Sequence, residues 1–280
     1  MTPFKPLSAG IVRELRAIAR PGALLLDPAE LWSYGSDNSR RHAMPQAVVL
    51  VEAADQVVPL GEICNRERLP LVARGRGTGT TGATVPDRGG LVLSFERMER
   101  ILRIDPDNRL AIVEPGVTNQ ALQAALAPRG FFWPPDPTSA ATCTLGGNLA
   151  CNAAGPRAVK YGTPRENTLG LTAVTGAGEL MRAGVRTTKG VVGYDLTRLI
   201  IGSEGTLALI TQATLKLTPL AEARRTLRAS YADIHAAAAA VSAIMAQPVT
   251  PCALEFMDGS AIAMARHVGD LGLPPGTGAL

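Results

Sequence analysis

The residues with the clearest chemical potential form a glycine-dense segment after an apolar run. Gly77-Thr78-Gly79-Thr80-Thr81-Gly82 has the GxGxxG spacing of dinucleotide-binding folds. That fingerprint needs a helix directly after it, because the helix N-terminus holds the pyrophosphate. Here Pro86 and Gly89-Gly90 interrupt the next stretch and a strand pattern follows, which excludes a Rossmann unit. Successive glycine amides can still form a concave anion site without a helix. Taken alone, the segment fits an ordinary surface loop equally well.

The cysteine and histidine residues do not have the spacing of a metal or iron–sulfur site. Cys64, Cys143, Cys151 and Cys252 contain no CxxC pair, and the three histidines form no HxxxH or HExxH pair. We therefore expect reduced thiols and no metal ligands in this sequence. No side chain stands out as a catalytic group, and we assign none.

The elements around the glycine loop follow from hydrophobic periodicity and cap residues. Ser8 is placed to cap a first helix that carries Ile11, Leu15 and Ile18 on one face and ends near Pro21-Gly22. Asp105-Pro106-Asp107-Asn108 is a strong turn sequence between two short strands. The remaining predicted strands are 47–51, 70–73, 91–95, 101–104, 111–113, 169–175 and 206–217. The remaining predicted helices are 54–67, 120–127 and a short one that opens at Gly146-Gly147-Asn148.

The pattern changes after Pro219, which we interpret as a domain boundary. Beyond it the sequence predicts strand 226–231, helix 234–246, strand 253–257 and helix 260–268. Two strands in about 60 residues give a poor core. We therefore expect the second domain to be incomplete.

Composition excludes several classes of protein. The 280 residues are 46% hydrophobic and 19% charged, which is typical of a folded globular chain. The net charge of +4 comes from scattered basic residues, so nucleic-acid binding is not expected. No stretch is long and apolar enough to span a membrane, and Met1–Arg20 lacks the apolar core of a signal peptide. We expect a cytoplasmic protein.

Four ordered segments resemble the cofactor-binding segments of FAD-linked oxidases of the vanillyl-alcohol oxidase type. The first is Arg74-Gly75-Arg76-Gly77-Thr78-Gly79, and the second joins Pro134–Ser139 to Thr144–Gly155. The third is Lys160–Thr163, and the fourth joins Gly193-Tyr194-Asp195-Leu196 to Gly202–Ile210. The GYDL and GSEGTL strings are similar to the branch that holds glycolate oxidase, D-lactate dehydrogenase and D-2-hydroxyglutarate dehydrogenase. They disfavour the cell-wall reductases of the same flavin fold.

The resemblance implies a set of cofactor-binding residues. Glycines would let backbone amides approach phosphate, and the side chains of Arg74 and Arg76 would add charge or point to solvent. Covalent members often carry histidine where this chain has Arg76, so the resemblance implies non-covalent FAD. The full set is Arg74, Gly75, Arg76, Gly77, Thr78, Gly79, Asp136, Ser139, Gly146, Gly147, Asn148, Gly155, Tyr161, Gly162, Glu204, Gly205 and Ile210.

The resemblance also implies a fold and an activity. The expected fold class is α+β, with an N-terminal helical segment (1–42), a two-lobed PCMH-type FAD-binding domain (43–219) and an incomplete α/β cap domain (220–280). The expected activity is oxidation of a 2-hydroxy acid of the glycolate or D-lactate type, with an iron–sulfur subunit or a quinone-linked carrier as electron acceptor. Such an acceptor places the protein in the cytoplasm or at the inner face of the membrane. The alternative is a truncated FAD-binding module or subunit without turnover.

Overall fold

The computed structural model describes residues 7–280, and these form two compact units. The first unit contains the described residues up to Gly155 together with Gly162–Leu220. The second contains Pro156–Tyr161 and Ala221–Leu280. The prediction that Met1–Arg20 lacks the apolar core of a signal peptide partly concerns residues 1–6, which lie outside the described residues.

The first unit begins with a lobe built on a four-stranded sheet. Its helices are α1 (Ala9–Ile18), α2 (Pro28–Trp32) and α3 (Val57–Glu67), the last preceded by a 3₁₀ turn at Ala54–Gln56. Its strands are β1 (Leu24–Leu25), β2 (Ala47–Leu50), β3 (Leu71–Arg74) and β4 (Leu91–Ser94), in the order β1-β2-β4-β3. Strand β4 pairs in parallel with both β2 and β3, whereas β1 is antiparallel to β2.

A helix-cap residue accounts for the start of α1 in this lobe, and continuous apolar sequences account for its buried strands. The Ser8 side chain accepts from the amide of Ile11 at 3.2 Å, so the predicted cap of α1 is confirmed. Strands β2 and β4 are buried along their whole length, and their near-continuous apolar sequences match that burial. Because β3 and β4 are parallel, their carboxyl ends meet at one edge, where Phe95 donates its amide to the Arg74 carbonyl at 2.9 Å.

A second lobe of the same unit is built on a five-stranded antiparallel sheet. Its strands are β5 (Ile101–Asp105), β6 (Leu110–Val113), β8 (Thr168–Thr175), β9 (Leu180–Gly184) and β10 (Ala208–Lys216), in the order β5-β6-β10-β8-β9. Strand β7 (Phe131–Phe132) pairs with β11 (Thr218–Pro219). Its helices are α4 (Asn119–Leu126), α5 (Leu145–Cys151) and α7 (Leu196–Ile200), and a 3₁₀ turn covers Ala127–Arg129. The predicted hairpin across residues 105–108 is confirmed as the β5–β6 pair.

Trp133 lies at the centre of the second lobe's core. Its side chain is fully buried, and the indole nitrogen donates to the Asn167 carbonyl at 2.9 Å. A large apolar side chain buried to this extent is part of the hydrophobic core.

The second unit differs from the sequence prediction. Its helices α6 (Ala158–Tyr161), α8 (Ile234–Met245) and α9 (Gly259–Arg266) include the two that were predicted after Pro219. The two predicted strands, 226–231 and 253–257, are wrong: the first contains a single β-bridge, Tyr231 with Ala279, and the second contains none, the next bridge being Asp258 with Ala279. A strand-like sequence forms a β-strand only when a neighbouring strand pairs with it by hydrogen bonds, and isolated strand segments are unstable. No helix among residues 7–280 is long and apolar enough to cross a bilayer.

Candidate functional site

An open cleft, which we call the cavity, lies within the first unit and is lined by residues from both of its lobes. Its empty space, the adjoining open solvent included, is about 600 Å³. Seven of the residues expected at the cofactor line it: Arg74, Gly75, Gly146, Gly147, Glu204, Gly205 and Ile210. The structure therefore brings together members of the first, second and fourth sequence segments.

The glycine loop leaves the carboxyl end of β3 and has a backbone rich in unused donors. Among residues 7–280, the amides of Gly75–Thr81 donate to no protein acceptor. Gly77 has a φ of +65°, which L-residues rarely adopt, and a Cβ placed on it would collide with the Arg74 guanidinium. Unpaired amides in succession are the donor set that a phosphate group accepts from.

Arg74 is largely buried beneath this loop. Its guanidinium donates to the carbonyl of Ser36 at 2.7 Å, the carbonyl of Ser33 at 3.1 Å and the hydroxyl of Thr84 at 3.3 Å. The group lies 5.7 Å from the centre of the Tyr34 ring. Burial lowers the pKa of the Arg74 guanidinium, and the Glu96 carboxylate opposes this shift. Its donors are engaged by protein oxygens, so Arg74 supports the loop from below.

Arg76 belongs to a separate ion pair at the edge of the loop. Its guanidinium lies 3.5 Å from the Glu96 carboxylate, and its side chain is 44% exposed. Glu96 also accepts from the Tyr34 hydroxyl at 2.7 Å. Burial, followed by this hydrogen bond, raises the pKa of Tyr34 to about 12. Arg76, Gly77, Thr78 and Gly79 do not line the cavity itself.

The start of α5 forms the opposite wall of the cavity. The helix begins at Leu145, one residue before the predicted opening, because Thr144 is its N-cap and accepts from the Gly147 amide at 3.3 Å. A Cβ on Gly75 would collide with the same Thr144 hydroxyl. A Cβ on Gly146 would lie 2.5 Å from the Pro115 ring. Glycine is therefore needed at both positions: at Gly75, where the first lobe meets Thr144 of the second, and at Gly146, which packs on Pro115 within the second lobe.

Two buried polar atoms in this region have no protein partner. Asn148 is 2% exposed, and its side-chain nitrogen makes no hydrogen bond within the described residues. The same holds for the hydroxyl of Ser203, which lines the cavity. A buried donor or acceptor without a partner is destabilising, so these two atoms need a partner from water or from a ligand.

The turn before β10 gives the cavity its third wall. Glu204 and Gly205 both have positive φ angles, +53° and +79°. Cys151, at the end of α5, also lines the cavity. Desolvation, together with the Glu204 and Asp37 carboxylates, raises the pKa of its thiol. This thiol is therefore protonated at neutral pH and a weak nucleophile.

The remaining predicted residues lie outside the cavity lining. Asp136 donates its amide to Ala154 at 2.9 Å, and a Cβ on Gly155 would collide with the Asp136 carbonyl. The carbonyl of Ser139 accepts two amides of its own turn, and Gly162 has a φ of +74°. Tyr161 belongs to the second unit, where its ring lies 5.5 Å from the Lys160 ammonium nitrogen.

Sequence reasoning did not single out twelve of the nineteen residues that line the cavity. The lining residues that it did not single out for a site are Ala73, Ala83, Thr84, Phe95, Pro115, Thr144, Ala150, Cys151, Ile200, Ser203, Ala208 and Leu209. Most are small or apolar and come from separate elements, so no local spacing marks them. Thr144 is the exception, because a threonine three residues before Gly147 is a helix-cap signal. Within the described part of the chain, no three His, Cys, Asp or Glu residues cluster as metal ligands would.

Replacing Thr144 by valine tests whether this cap holds the wall in place. The valine keeps the shape but removes the acceptor of the Gly147 amide, so we expect a loss of about 1 kcal/mol in the free energy of unfolding. Urea denaturation followed by circular dichroism measures it. Thr142→Val is the matched control, because the exposed Thr142 hydroxyl makes only a 3.4 Å contact with the Ser139 carbonyl. Equal losses in both variants would contradict the cap role.

Comparison with known proteins places this site in a family. The family described as "FAD binding domain" matches residues 45–184, half of the chain, and "FAD linked oxidases, C-terminal domain" matches residues 220–280. Glycolate oxidase subunit GlcD of Bacillus subtilis (strain 168) is 43% identical over 232 residues, covering 83% of this chain and 49% of that protein. D-lactate dehydrogenase of Archaeoglobus fulgidus is 40% identical, covering 79% of this chain and 49% of that protein.

The fold is also found among solved structures. A structure of alkyldihydroxyacetonephosphate synthase superposes with a TM-score of 0.79 at 23% identity, covering 94% of this chain and 52% of that one. At this identity the likeness shows the fold alone. The chain spans about half the length of the curated relatives it matches. The chain has the mixed α+β fold described above. The two family matches show that it belongs to the FAD-linked oxidases with a PCMH-type FAD-binding domain, whose cofactor is FAD.

Proposed function

We propose that this chain holds FAD non-covalently in the cavity between the two lobes of its first unit. The observation that carries the proposal is the run of unpaired amides at Gly75–Thr81 beside a cavity that contains a buried, unpaired Ser203 hydroxyl. A diphosphate accepts several hydrogen bonds, and backbone amides supply them without a charged side chain. The donor set of the loop therefore fits this cofactor.

The proposed contacts follow from the site. The loop amides and the Thr78 hydroxyl hold the diphosphate, and Gly146 and Gly147 let the flavin ring approach the backbone. Donors such as the Asn148 amide, near the polar edge of a flavin, stabilise the negative charge of its reduced form. The expected contacts outside the cavity lining, at Asp136, Ser139, Gly155, Tyr161 and Gly162, are part of the same proposal. Arg76 cannot form the bond to the flavin methyl group that a histidine forms, so the cofactor is expected to leave on denaturation.

We also propose the division of the chain: residues 1–42 as an N-terminal helical segment, 43–219 as the FAD-binding domain and 220–280 as part of a cap domain. The separation of the two compact units at Leu220 supports the second boundary, as does the start of the second family match at residue 220.

For the whole protein we propose oxidation of a 2-hydroxy acid to the 2-oxo acid. FAD, when bound, would supply the acceptor for the hydride from C2, and a base would take the hydroxyl proton. The support is the likeness to proteins named glycolate oxidase subunit GlcD and D-lactate dehydrogenase. One of these is called a subunit, which supports electron transfer to a partner: an iron–sulfur subunit or a quinone-linked carrier. Such a carrier would bring the protein to the inner face of the membrane.

An anaerobic visible spectrum tests both parts of this proposal. The purified chain, loaded with FAD, is expected to show the oxidised flavin bands. Precipitation with acid is expected to release the yellow cofactor into the supernatant. Flavin that remains on the precipitated chain would contradict non-covalent binding. Addition of glycolate or D-lactate is expected to bleach the bands if these 280 residues suffice for turnover.

The second candidate is an FAD-binding module or subunit without turnover of its own. It is favoured by the half-length match to the curated relatives, because half of each relative has no counterpart in these 280 residues. In that case the same spectrum stays oxidised with either acid while FAD binding remains saturable.

A further inference from the structure

A short segment that precedes the family match is hydrogen-bonded to the glycine loop. We call residues Ser36–Arg41 the strap. The matched FAD-binding region starts at residue 45, so the strap lies outside it. An isolated β-bridge between Ser36 and His42 closes the base of the strap.

Asp37 is the central residue of the strap. One of its carboxylate oxygens accepts from the Gly82 amide at 3.0 Å, at the far end of the glycine loop. The other accepts from the Ser39 amide at 2.9 Å and so fixes the turn of the strap itself. One side chain therefore joins the strap to the loop.

The strap also engages the carbonyl groups of the loop. The Asn38 amide donates to the Gly79 carbonyl at 2.9 Å, and the Asn38 side-chain nitrogen donates to the Thr78 carbonyl at 3.3 Å. At the start of the loop, Arg74 donates to the Ser36 carbonyl at 2.7 Å. The loop is held at its beginning, middle and end, while its amides from Gly75 to Thr81 stay unpaired.

We propose that the strap, through Asp37, is a positioning element that prepares the loop amides for the diphosphate of FAD. Glycine-rich backbone loses much conformational entropy when it is ordered, and a loop ordered in advance does not incur that loss on binding. The strap satisfies the carbonyls and one end of the loop and leaves the phosphate donors free. This inference rests on the proposed FAD site.

Asp37→Ala tests the role when two flavins are compared. Titration by flavin fluorescence is expected to show FAD binding weakened roughly tenfold. Riboflavin, which has no diphosphate, is expected to change by less than about twofold, because the hydrogen bonds that Asp37 and Asn38 make outside the strap go to the loop. Asp27→Ala is the matched control. Asp27 likewise accepts an amide by its side chain, that of Ala29 at 2.8 Å, but it touches no residue of the glycine loop.

Asp37→Asn and hydrogen exchange give independent readouts. Asparagine keeps an acceptor without the charge, so it is expected to recover part of the FAD affinity. Without any flavin, the amides of Gly82 and Asn38, which donate the strap–loop hydrogen bonds, are expected to exchange faster in Asp37→Ala than in the wild type. This measurement does not depend on ligand binding.

The outcomes separate this inference from the proposed function. A wild-type chain that does not bind FAD would overturn both. If the wild type binds FAD and Asp37→Ala binds it equally well or more tightly, only the proposal about the strap is overturned. The carboxylate would then have no effect on the diphosphate or would repel it. An equal loss for FAD and riboflavin would also overturn it, because that pattern indicates general damage.

Discussion

Gly77→Ala is expected to destabilise the flavin-free chain by about 3 kcal/mol and to weaken FAD binding by roughly two orders of magnitude. The φ of +65° strains any L-residue, and the new Cβ would displace the Arg74 guanidinium from its three acceptors. Urea denaturation without flavin measures the first effect. Titration with FAD measures the second.

Gly79→Ala is the matched control in the same loop. A Cβ on Gly79 meets no described atom within 4 Å, and its φ lies outside the left-handed region. The stability of the flavin-free chain is therefore expected to change by less than about 0.5 kcal/mol. A loss of FAD affinity in this variant alone would show that Gly79 serves the ligand, whereas Gly77 serves the fold. Equal stability losses at both positions would contradict these separate roles.

Arg74→Lys is expected to lower the free energy of unfolding by about 3 kcal/mol although the charge is kept. A lysine ammonium cannot reproduce the guanidinium geometry that satisfies two carbonyls and a hydroxyl while lying against Tyr34. The residue is only 9% exposed, so the carbonyls of Ser33 and Ser36 would lose partners that water replaces poorly. Thermal and urea unfolding of the purified variant measure the change.

Arg76→Lys is the control for this prediction, two residues away. Arg76 is half-exposed and forms one 3.5 Å ion pair with Glu96, and exposed pairs of this kind contribute little. A change of less than about 0.5 kcal/mol is expected. Similar losses for Arg74→Lys and Arg76→Lys would mean that Arg74 is not the buried support described here.

Local signals were enough to predict much of the first unit. Ser8, the turn at residues 105–108 and the continuous apolar strands act through neighbouring residues, so the sequence alone indicates them. The glycine loop could be recognised in the same way. The burial of Arg74 could not, because its acceptors lie about 40 residues away on Ser33 and Ser36.

The errors have a common physical cause. Segments 226–231 and 253–257 have strand-like composition, but a strand forms only where another strand completes its hydrogen bonds. The first segment contains one bridge, at Tyr231, and the second contains none. The cavity wall was missed for a related reason. Pro115, Phe95 and Leu209 meet only after two sheets have folded, and none has a side chain that indicates chemistry.

The most direct test of the proposed FAD site is an equilibrium titration of the purified, folded chain with FAD, followed by flavin fluorescence, with riboflavin in parallel. We expect saturable binding of one FAD per chain and much weaker binding of riboflavin, because the unpaired amides of Gly75–Thr81 act on the diphosphate. A folded chain that binds no FAD, or that binds both flavins equally, would contradict the proposed site.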